Sequence, residues 1–461
     1  MKAAATLTLA ALLAGCAVGP EYERPKLEMP AQYPAPDVAP APAAVREDWW
    51  TLYGDATLND LVATALTRNA DIELAVARVA EAEANLREAG AATLFPEIDG
   101  GAAATRSRVS AATALPNQSP LVRNDVRVAL ATSFELDFWG RLRRTRDSFG
   151  AIAESSRYGR DVVRLSIAGL VTQAYFTLRA LDKQVALGQS TLAARSDSLD
   201  VASSRSRAGL ASDLDVNQAQ LALADASLQL RDFVRQRDLA EHLLGTLTGQ
   251  LNLRVAAVEA PLPALPPMPE SGLPSALLER RPDVRQAEQQ LVAANAQIGV
   301  AKAAYFPTIT LNANGGGQSS ALAGTLNAPA TIWSVGLNAL VPLLDWGRTT
   351  ARVDAATARR DQAIATYRKT AETAFREVAD ALTEVSQYGA VQQELEDRAR
   401  IARNTLALVN TRYRSGYSAY LEVLDAQRTA NDAELAVARG RLALLASSVN
   451  LMKALGGGWA A

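Results

Sequence analysis

Apolar and polar residues alternate with period two in two separate stretches of the chain. Val126, Val128, Leu130, Phe134, Leu136 and Phe138 alternate with Arg127, Ala129, Ala131, Ser133, Glu135 and Asp137, which predicts a strand with one apolar and one polar face. Trp333, Val335, Leu337, Ala339 and Val341 do the same against Ser334, Gly336 and Asn338. A weaker strand precedes each, clearest where Ile309, Leu311 and Ala313 alternate with Thr308, Thr310, Asn312 and Asn314. The pattern predicts strands at about 97–110, 125–138, 308–316 and 331–343. Loops rich in Gly, Ser, Asn and Pro join them near 106–124 and 315–330, with Gly315-Gly316-Gly317 as a loop apex.

Beyond each strand pair the period lengthens to 3.5. Ile364, Tyr367, Ala371, Ala374, Val378, Ala381, Val385 and Tyr388 are spaced alternately three and four apart, a heptad seam of mostly small residues. From Gly347 to Arg414 there is no Pro and one internal Gly, so a helix over about 347–414 would reach about 100 Å. Its counterpart spans about 141–207, and shorter helices return over about 213–249 and 419–455. The returns fall at Ala208-Gly209 and Ser415-Gly416, where Gly supplies the left-handed residue of a helix stop. An earlier helix, about Ile72 to Thr93, ends at Phe95-Pro96. Rods of this length must bury their apolar stripe against neighbours. Alone they read as an antiparallel coiled-coil spacer; with the strand pairs they read as a tunnel wall.

The body is one unit written twice. Phe95-Pro96 recurs as Phe306-Pro307, an offset of 306 − 95 = 211, and Trp139-Gly140-Arg141 recurs as Trp346-Gly347-Arg348, an offset of 346 − 139 = 207. Gly209, Val216, Ala219 and Gln220 recur as Gly416, Val423, Ala426 and Gln427, again at 207. Copies of about 200 residues are too long for solenoid units. The first occupies 49–266 and the second 267–461.

The N-terminus sets the compartment. Lys2 and the apolar Ala3 to Leu13 form a signal-peptide core over 1–15, too short to reside in a bilayer. It ends Leu13-Ala14-Gly15-Cys16, and Cys16 is the sole cysteine. This resembles the bacterial lipoprotein box, whose cleavage would leave Cys16 carrying N-acyl and S-diacylglycerol chains such as palmitate; the alternative is an ordinary signal with an incidental Cys. Ala17 stands where an Asp would resemble an inner-membrane retention signal, which favours outer-membrane sorting. Residues 16–48, with seven Pro from Pro20 to Pro42, read as an extended strap.

Composition removes most chemistry. The 461 residues carry 47 basic and 49 acidic side chains, one His and one Cys. A net charge of −2 offers no basic surface for nucleic acid. One His and one Cys make no zinc or redox site. With 21% charged residues and a mean hydropathy near zero, a helical membrane bundle is excluded, and no 18-residue apolar run follows the signal. His242, in Leu239-Ala240-Glu241-His242-Leu243, is a helix residue without partners for catalysis. Gly315-Gly316-Gly317 lacks the Lys-Ser/Thr of a phosphate loop, and Gly456-Gly457-Gly458 is a helix stop. Glu279 and Asp283 offset Arg280-Arg281. Four strands cannot close a membrane barrel, for which small examples need about eight. The hairpins therefore belong either to a soluble sheet or to an oligomeric barrel, in which three chains supply twelve strands.

Several longer motifs carry a resemblance. Cys16-Ala17-Val18-Gly19-Pro20 with Tyr22 and Pro25 opens the mature chain, and Trp49-Trp50 with Asp55 and Leu58 follows. The most specific stretch is Glu279-Arg280-Arg281-Pro282-Asp283-Val284, Ala287-Glu288, Leu291, Ala294-Asn295, Ile298-Gly299 and Tyr305-Phe306-Pro307. Asp345-Trp346-Gly347-Arg348, Arg412-Tyr413-Arg414-Ser415-Gly416, Leu421, Val423-Leu424-Asp425-Ala426-Gln427 and Lys453-Ala454-Leu455-Gly456-Gly457-Gly458-Trp459 complete it. Over nearly its whole length the chain resembles the TolC-like outer-membrane factor family, in the lipoprotein branch that serves resistance–nodulation–division efflux pumps.

The resemblance implies an α+β membrane protein with an internal two-fold repeat. Its homotrimer would close a twelve-stranded transmembrane β-barrel, four strands per chain, continuous with a long α-helical coiled-coil barrel in the periplasm. It implies a passive conduit for drugs, other toxic compounds or metal ions, docked by a periplasmic adaptor (membrane fusion) protein and an inner-membrane resistance–nodulation–division transporter. No catalysis, metal or cofactor is implied. At the periplasmic tip it implies a constriction at Leu421 and Asp425, held shut by Arg412 and Tyr413 contacting Asp215. Ser418 and Ala419 offer no charge there, which implies a lighter lock. Asp213 and Glu422 lie beside it, and without the resemblance these are solvated helix-end charges. A type I secretion duct is disfavoured by the lipoprotein start. The rival of another class is a periplasmic coiled-coil lipoprotein without a pore.

Overall fold

The computed structural model describes residues 18–30, 33, 47–112, 121–258, 262–267 and 277–457. The signal-peptide, Cys16, Trp459 and most strap readings lie outside these. A 3-10 turn, Trp49–Tyr53, precedes α1 (Ala56–Arg68) and α2 (Ala70–Leu94). Then come β1 (Glu97–Arg108), β2 (Val122–Glu135), α3 (Arg141–Arg207) and α4 (Asp213–Leu247). The second half supplies α5 (Pro282–Ala303), β3 (Thr308–Ser319), β4 (Thr331–Leu340), α6 (Arg348–Arg414) and α7 (Tyr420–Ala454). Two compact units result, each discontinuous in sequence: residues 1–26, 78–156 and 287–367, and residues 27–77, 157–286 and 368–461.

The first unit holds one antiparallel sheet in the order β1-β2-β3-β4. The two predicted hairpins are joined through β2 and β3, which pair from Val126↔Ser319 to Glu135↔Thr310. β3 runs through Gly315-Gly316-Gly317, so these are strand residues and not a loop apex. A Cβ at Gly316 would collide with the β2 backbone at Val128, and one at Gly317 with the carbonyl of Thr325. Only glycine lets the strand continue under that loop. β2 begins at Val122 and stops at Glu135, and β4 stops at Leu340, each short of its expected end. The following residues are drawn into helix starts. Asp137 accepts from the Leu142 and Arg143 amides at 3.1 and 2.9 Å, and Asp345 from those of Gly347 and Thr349 at 3.0 and 2.8 Å. A carboxylate there satisfies the orphan N–H groups that open each 67-residue helix.

The strap begins in this unit along α5, and the motif residues are its contacts. The Tyr22 hydroxyl donates to Glu288 at 3.1 Å, Arg24 donates to both oxygens of Glu288 at 2.6 and 2.8 Å, and Asn295 donates to the Pro20 carbonyl at 3.1 Å. Gly19 and Gly299 meet backbone to backbone, where a Cβ on either would not fit.

In the second unit Trp49, Leu58, Val62 and Tyr175 are buried, and the Tyr175 hydroxyl donates to Asp55 at 2.6 Å while Asp55 caps α1 through the Leu58 amide. Arg281 is buried and neutralised by Asp283 and Glu377, both at 2.7 Å, and donates to the Ala454 carbonyl. The α6 seam is buried from Ala371 to Val385, and Tyr388 leaves it for the surface. His242 is exposed on α4. α7 contains a window apolar enough by composition to cross a membrane, but half of that window is packed inside the unit, as expected of an Ala- and Leu-rich core helix.

Candidate functional site

The sheet and the helix-turn tip are the two candidate sites. In an antiparallel ladder, paired residues point to the same face. The pairs Gly100↔Leu130, Leu130↔Gly315 and Gly315↔Trp333 place these residues on one face, with Leu311↔Leu337 and Ala313↔Val335 beside them. The other face gathers Arg127↔Gln318, Ala131↔Asn314, Glu135↔Thr310 and Thr310↔Asn338. Polar side chains bond across it: Gln318 donates to both oxygens of Asp125 at 2.9 and 3.0 Å, and Asn314 donates to Ser334 at 2.5 Å. The apolar face is bare, with Ile98, Leu130, Trp333, Val335 and Leu337 all exposed. A soluble half-buried hairpin would cover that face with core. An uncovered apolar sheet opposite a hydrated one is the arrangement of strands between lipid and a water-filled lumen.

The tip lies in the second unit, where α3 returns as α4 and α6 as α7. Both returns close with the same bonds: Leu210 N–H donates to Arg205 O at 2.8 Å, and Tyr417 N–H to Arg412 O at 2.8 Å. Gly209 and Gly416 take φ of 72° and 82°, the left-handed step this stop requires. Ala202, Ala219, Tyr413, Tyr420 and Val423 form the apolar core beneath.

Within the chain the residues of the expected lock take the following partners. Asp215 is a capping residue: it accepts from Ser212 N–H at 3.2 Å, while its own N–H donates to the Ser212 hydroxyl at 3.3 Å. Arg412 donates to the Ser418 hydroxyl at 3.2 Å and the Tyr417 carbonyl at 3.4 Å, within its own turn. In this chain neither is the other's partner. Tyr413 instead takes Arg205. The guanidinium sits 4.7 Å over the Tyr413 ring and donates to the Tyr413 carbonyl at 3.1 Å. This contact ties the end of α3 to the end of α6. Burial raises the Tyr413 phenol above its ordinary range, Arg205 opposes the rise, and nearby Asp215 adds to it.

Arg205 was legible from the repeat, because 412 − 207 = 205 makes it the counterpart of Arg412. Arg195, which donates to Gln427 on α7, had no such signal. Burial lowers the Arg195 pKa. Leu421 is 61% exposed on α7, one turn from Asp425, which pairs with Arg428 at 3.0 Å. The Asp425 carboxylate thus has a cation beside it.

Bare apolar strands, a polar opposite face and 67-residue helices define an outer-membrane channel that extends into the periplasm. Comparison with known proteins agrees. The profile of the family described as outer membrane efflux protein matches residues 61–250 and 273–457, one match in each half. The chain is 34% identical over 467 residues to the toluene efflux pump outer membrane protein TtgI of Pseudomonas putida, covering 97% of this chain and 96% of that one. It is 33% identical to the pyoverdine export outer membrane protein OpmQ of Pseudomonas aeruginosa, over 100% of this chain and 97% of that one. A crystal structure of a membrane protein from Pseudomonas aeruginosa superposes with a TM-score of 0.87 at 32% identity, covering 96% and 98%. The open-state MtrE outer membrane channel of Neisseria gonorrhoeae superposes with a TM-score of 0.81 at 28%, again covering 96% and 98%.

The chain belongs to the outer membrane efflux protein family. It is the outer-membrane channel component of a tripartite efflux pump and not an enzyme.

Proposed function

We propose that three copies close into a twelve-stranded barrel continuous with a twelve-helix tunnel, serving a periplasmic adaptor and a resistance–nodulation–division transporter. The observation that carries this is the two-faced sheet with a bare apolar side and two edges, β1 and β4, that are unpaired among the described residues. Open edges in a bilayer leave backbone groups unsatisfied, so the strands must close with other chains. The test is the migration of membrane-extracted protein in denaturing gels: a band three times the chain mass that collapses on boiling supports the reading, and monomer alone refutes it. Relatives named for toluene and solvent efflux favour small hydrophobic toxicants as cargo, selected by the pump, since a wide water-filled duct has no binding pocket.

A lipid on Cys16 fits the strap. Val18 N–H donates to the Trp139 carbonyl at 3.1 Å, at the foot of the sheet. Two residues span at most about 7 Å, so acyl chains on Cys16 would enter the leaflet close to the strands. Cys16→Ser is expected to abolish incorporation of labelled palmitate while a reduced amount of oligomer still assembles. Persistent labelling would remove the lipobox assignment.

At the tip, Leu421 and Asp425 form the constriction in this reading, with rings of three carboxylates favouring cations. The ion pair to Arg428 tempers that preference. Asp425→Ala is expected to weaken cation selectivity in planar bilayers, and Arg428→Ala to strengthen it, both read as reversal-potential shifts of opposite sign. Shifts of one sign, or none, would move the constriction elsewhere.

A further inference from the structure

The internal repeat builds one joint inside the chain and leaves its twin open. At the inner joint, Trp139 follows β2 and stacks on Phe306, which precedes β3, with centroids 4.6 Å apart and planes 23° apart. The indole N–H of Trp139 donates to the Pro307 carbonyl at 2.8 Å, and Leu136 N–H donates to the Ile309 carbonyl at 2.8 Å. Every residue in this joint has a repeat counterpart. Trp139 becomes Trp346 (139 + 207), Phe306 becomes Phe95 (306 − 211), Pro307 becomes Pro96 and Ile309 becomes Ile98.

Among the described residues the counterparts have no ring to stack on. Trp346 is 87% exposed and Phe95 68% exposed, and they stand at the β4 and β1 edges of the sheet. Trp346 is also the sole non-glycine described residue with positive φ, at 53°. For a bulky side chain that conformation is an outlier; the Asp345–Arg348 turn, closed by Arg348 N–H donating to the Asp345 carbonyl at 3.2 Å, holds the backbone there and turns the indole outward. Leu343, the counterpart of Leu136, is likewise exposed.

We infer that Trp346 of one copy stacks on Phe95 of a second copy and donates its indole N–H to that copy's Pro96 carbonyl, repeating the inner joint between subunits. The inference rests on the oligomeric barrel proposed above and adds what that reading leaves open, the register of the seam. In the inner joint paired residue numbers sum to 445, as in Val126↔Ser319. Applying both offsets gives 445 + 207 − 211 = 441. Asn338 therefore faces Ala103 of the neighbour, and Leu337 faces its Ala104. The faces agree: Asn338 and Ala103 lie on the polar side, and Leu337 and Ala104 on the apolar side.

The register is read by paired cysteines in the full-length protein in its membrane. Directly opposed residues in an antiparallel pair have Cβ atoms about 4.5–5.5 Å apart. Under oxidation by molecular oxygen, which takes two electrons and two protons from the thiol pair, Ala103→Cys with Asn338→Cys should give covalent multimers on non-reducing gels. Ala102→Cys with Asn338→Cys, on opposite faces, should not, and the single mutants control for Cys16. A heat-sensitive oligomer without the 103–338 links overturns this joint and leaves the channel reading standing. A wild-type protein that forms no such oligomer overturns both.

The aromatic contact has its own readout. Trp346→Ala and Phe95→Ala should each lower the temperature at which the oligomer dissociates in detergent, and the double mutant should lower it no further than the stronger single. Fully additive shifts would show that the two rings do not touch.

Discussion

Arg205→Ala is expected to raise the open probability of the isolated channel roughly tenfold or more, measured as single-channel current in planar bilayers, since 1.4 kcal/mol is already a factor of ten. The arginine ties two returning helices together through the Tyr413 ring and carbonyl. A hydrogen bond to a charged group contributes about 1.5–3 kcal/mol and a cation–π contact about 0.5–2 kcal/mol. The pair is partly exposed, so about 1–2 kcal/mol per copy is the useful figure. In the proposed trimer three copies opening together would multiply the effect, so that a contact of this size could hold a duct shut until an adaptor shifts the population. Arg412→Ala should act more weakly, because its bonds stay within one turn. Tyr413→Phe should act weakly as well, since it keeps the ring and the carbonyl that Arg205 uses. If Arg412→Ala opens the channel more than Arg205→Ala, the lock runs between subunits and not through Arg205.

Leu130→Arg is expected to abolish most oligomer in the outer membrane, whereas Asn338→Arg should leave the yield near wild type. Leu130 stands on the apolar face, flanked across the ladder by Gly100 and Gly315. An arginine near the midplane of a lipid-facing strand costs about 2–4 kcal/mol per copy, and a closed trimer would carry three. Asn338 stands opposite Thr310 on the polar face, where a guanidinium stays hydrated. Quantifying heat-sensitive oligomer in membrane fractions decides the matter. Equal yields would mean that the apolar face meets protein, and the periplasmic tether without a pore would return.

Much of the architecture was legible in the amino-acid sequence, because its signals are local. A period of two sorts Val128 and Leu130 from Arg127 and Ala129 whatever the strand pairs with. A seam of 3.5 needs only its own helix, and Gly209 and Gly416 mark their turns through backbone preference alone. The duplication was equally plain, and with it the location of the strand pairs, long helices and returns.

What the sequence left open is what depends on residues some 200 positions apart meeting in space. Pairing of β2 with β3 welds the two copies into one sheet and runs Gly315-Gly316-Gly317 through it, because glycine was needed under a folded-back loop and not at an apex. The partners that the lock residues take within the chain were hidden for a related reason. Arg412, Tyr413 and Asp215 are close in the chain to the right turns, but capping claims Asp215 and the turn itself claims Arg412. Tyr413 is left to Arg205, whose fitness for the role comes from the docking of α3 beside α6. Glu288 belongs to the same class: its burial under Tyr22 and Arg24 explains two motifs at once, and only the path of the strap along α5 brings them together. Local periodicity determined which elements form and which faces they carry; tertiary packing decided which of those faces found a partner within the chain and which, like the β1 and β4 edges, did not.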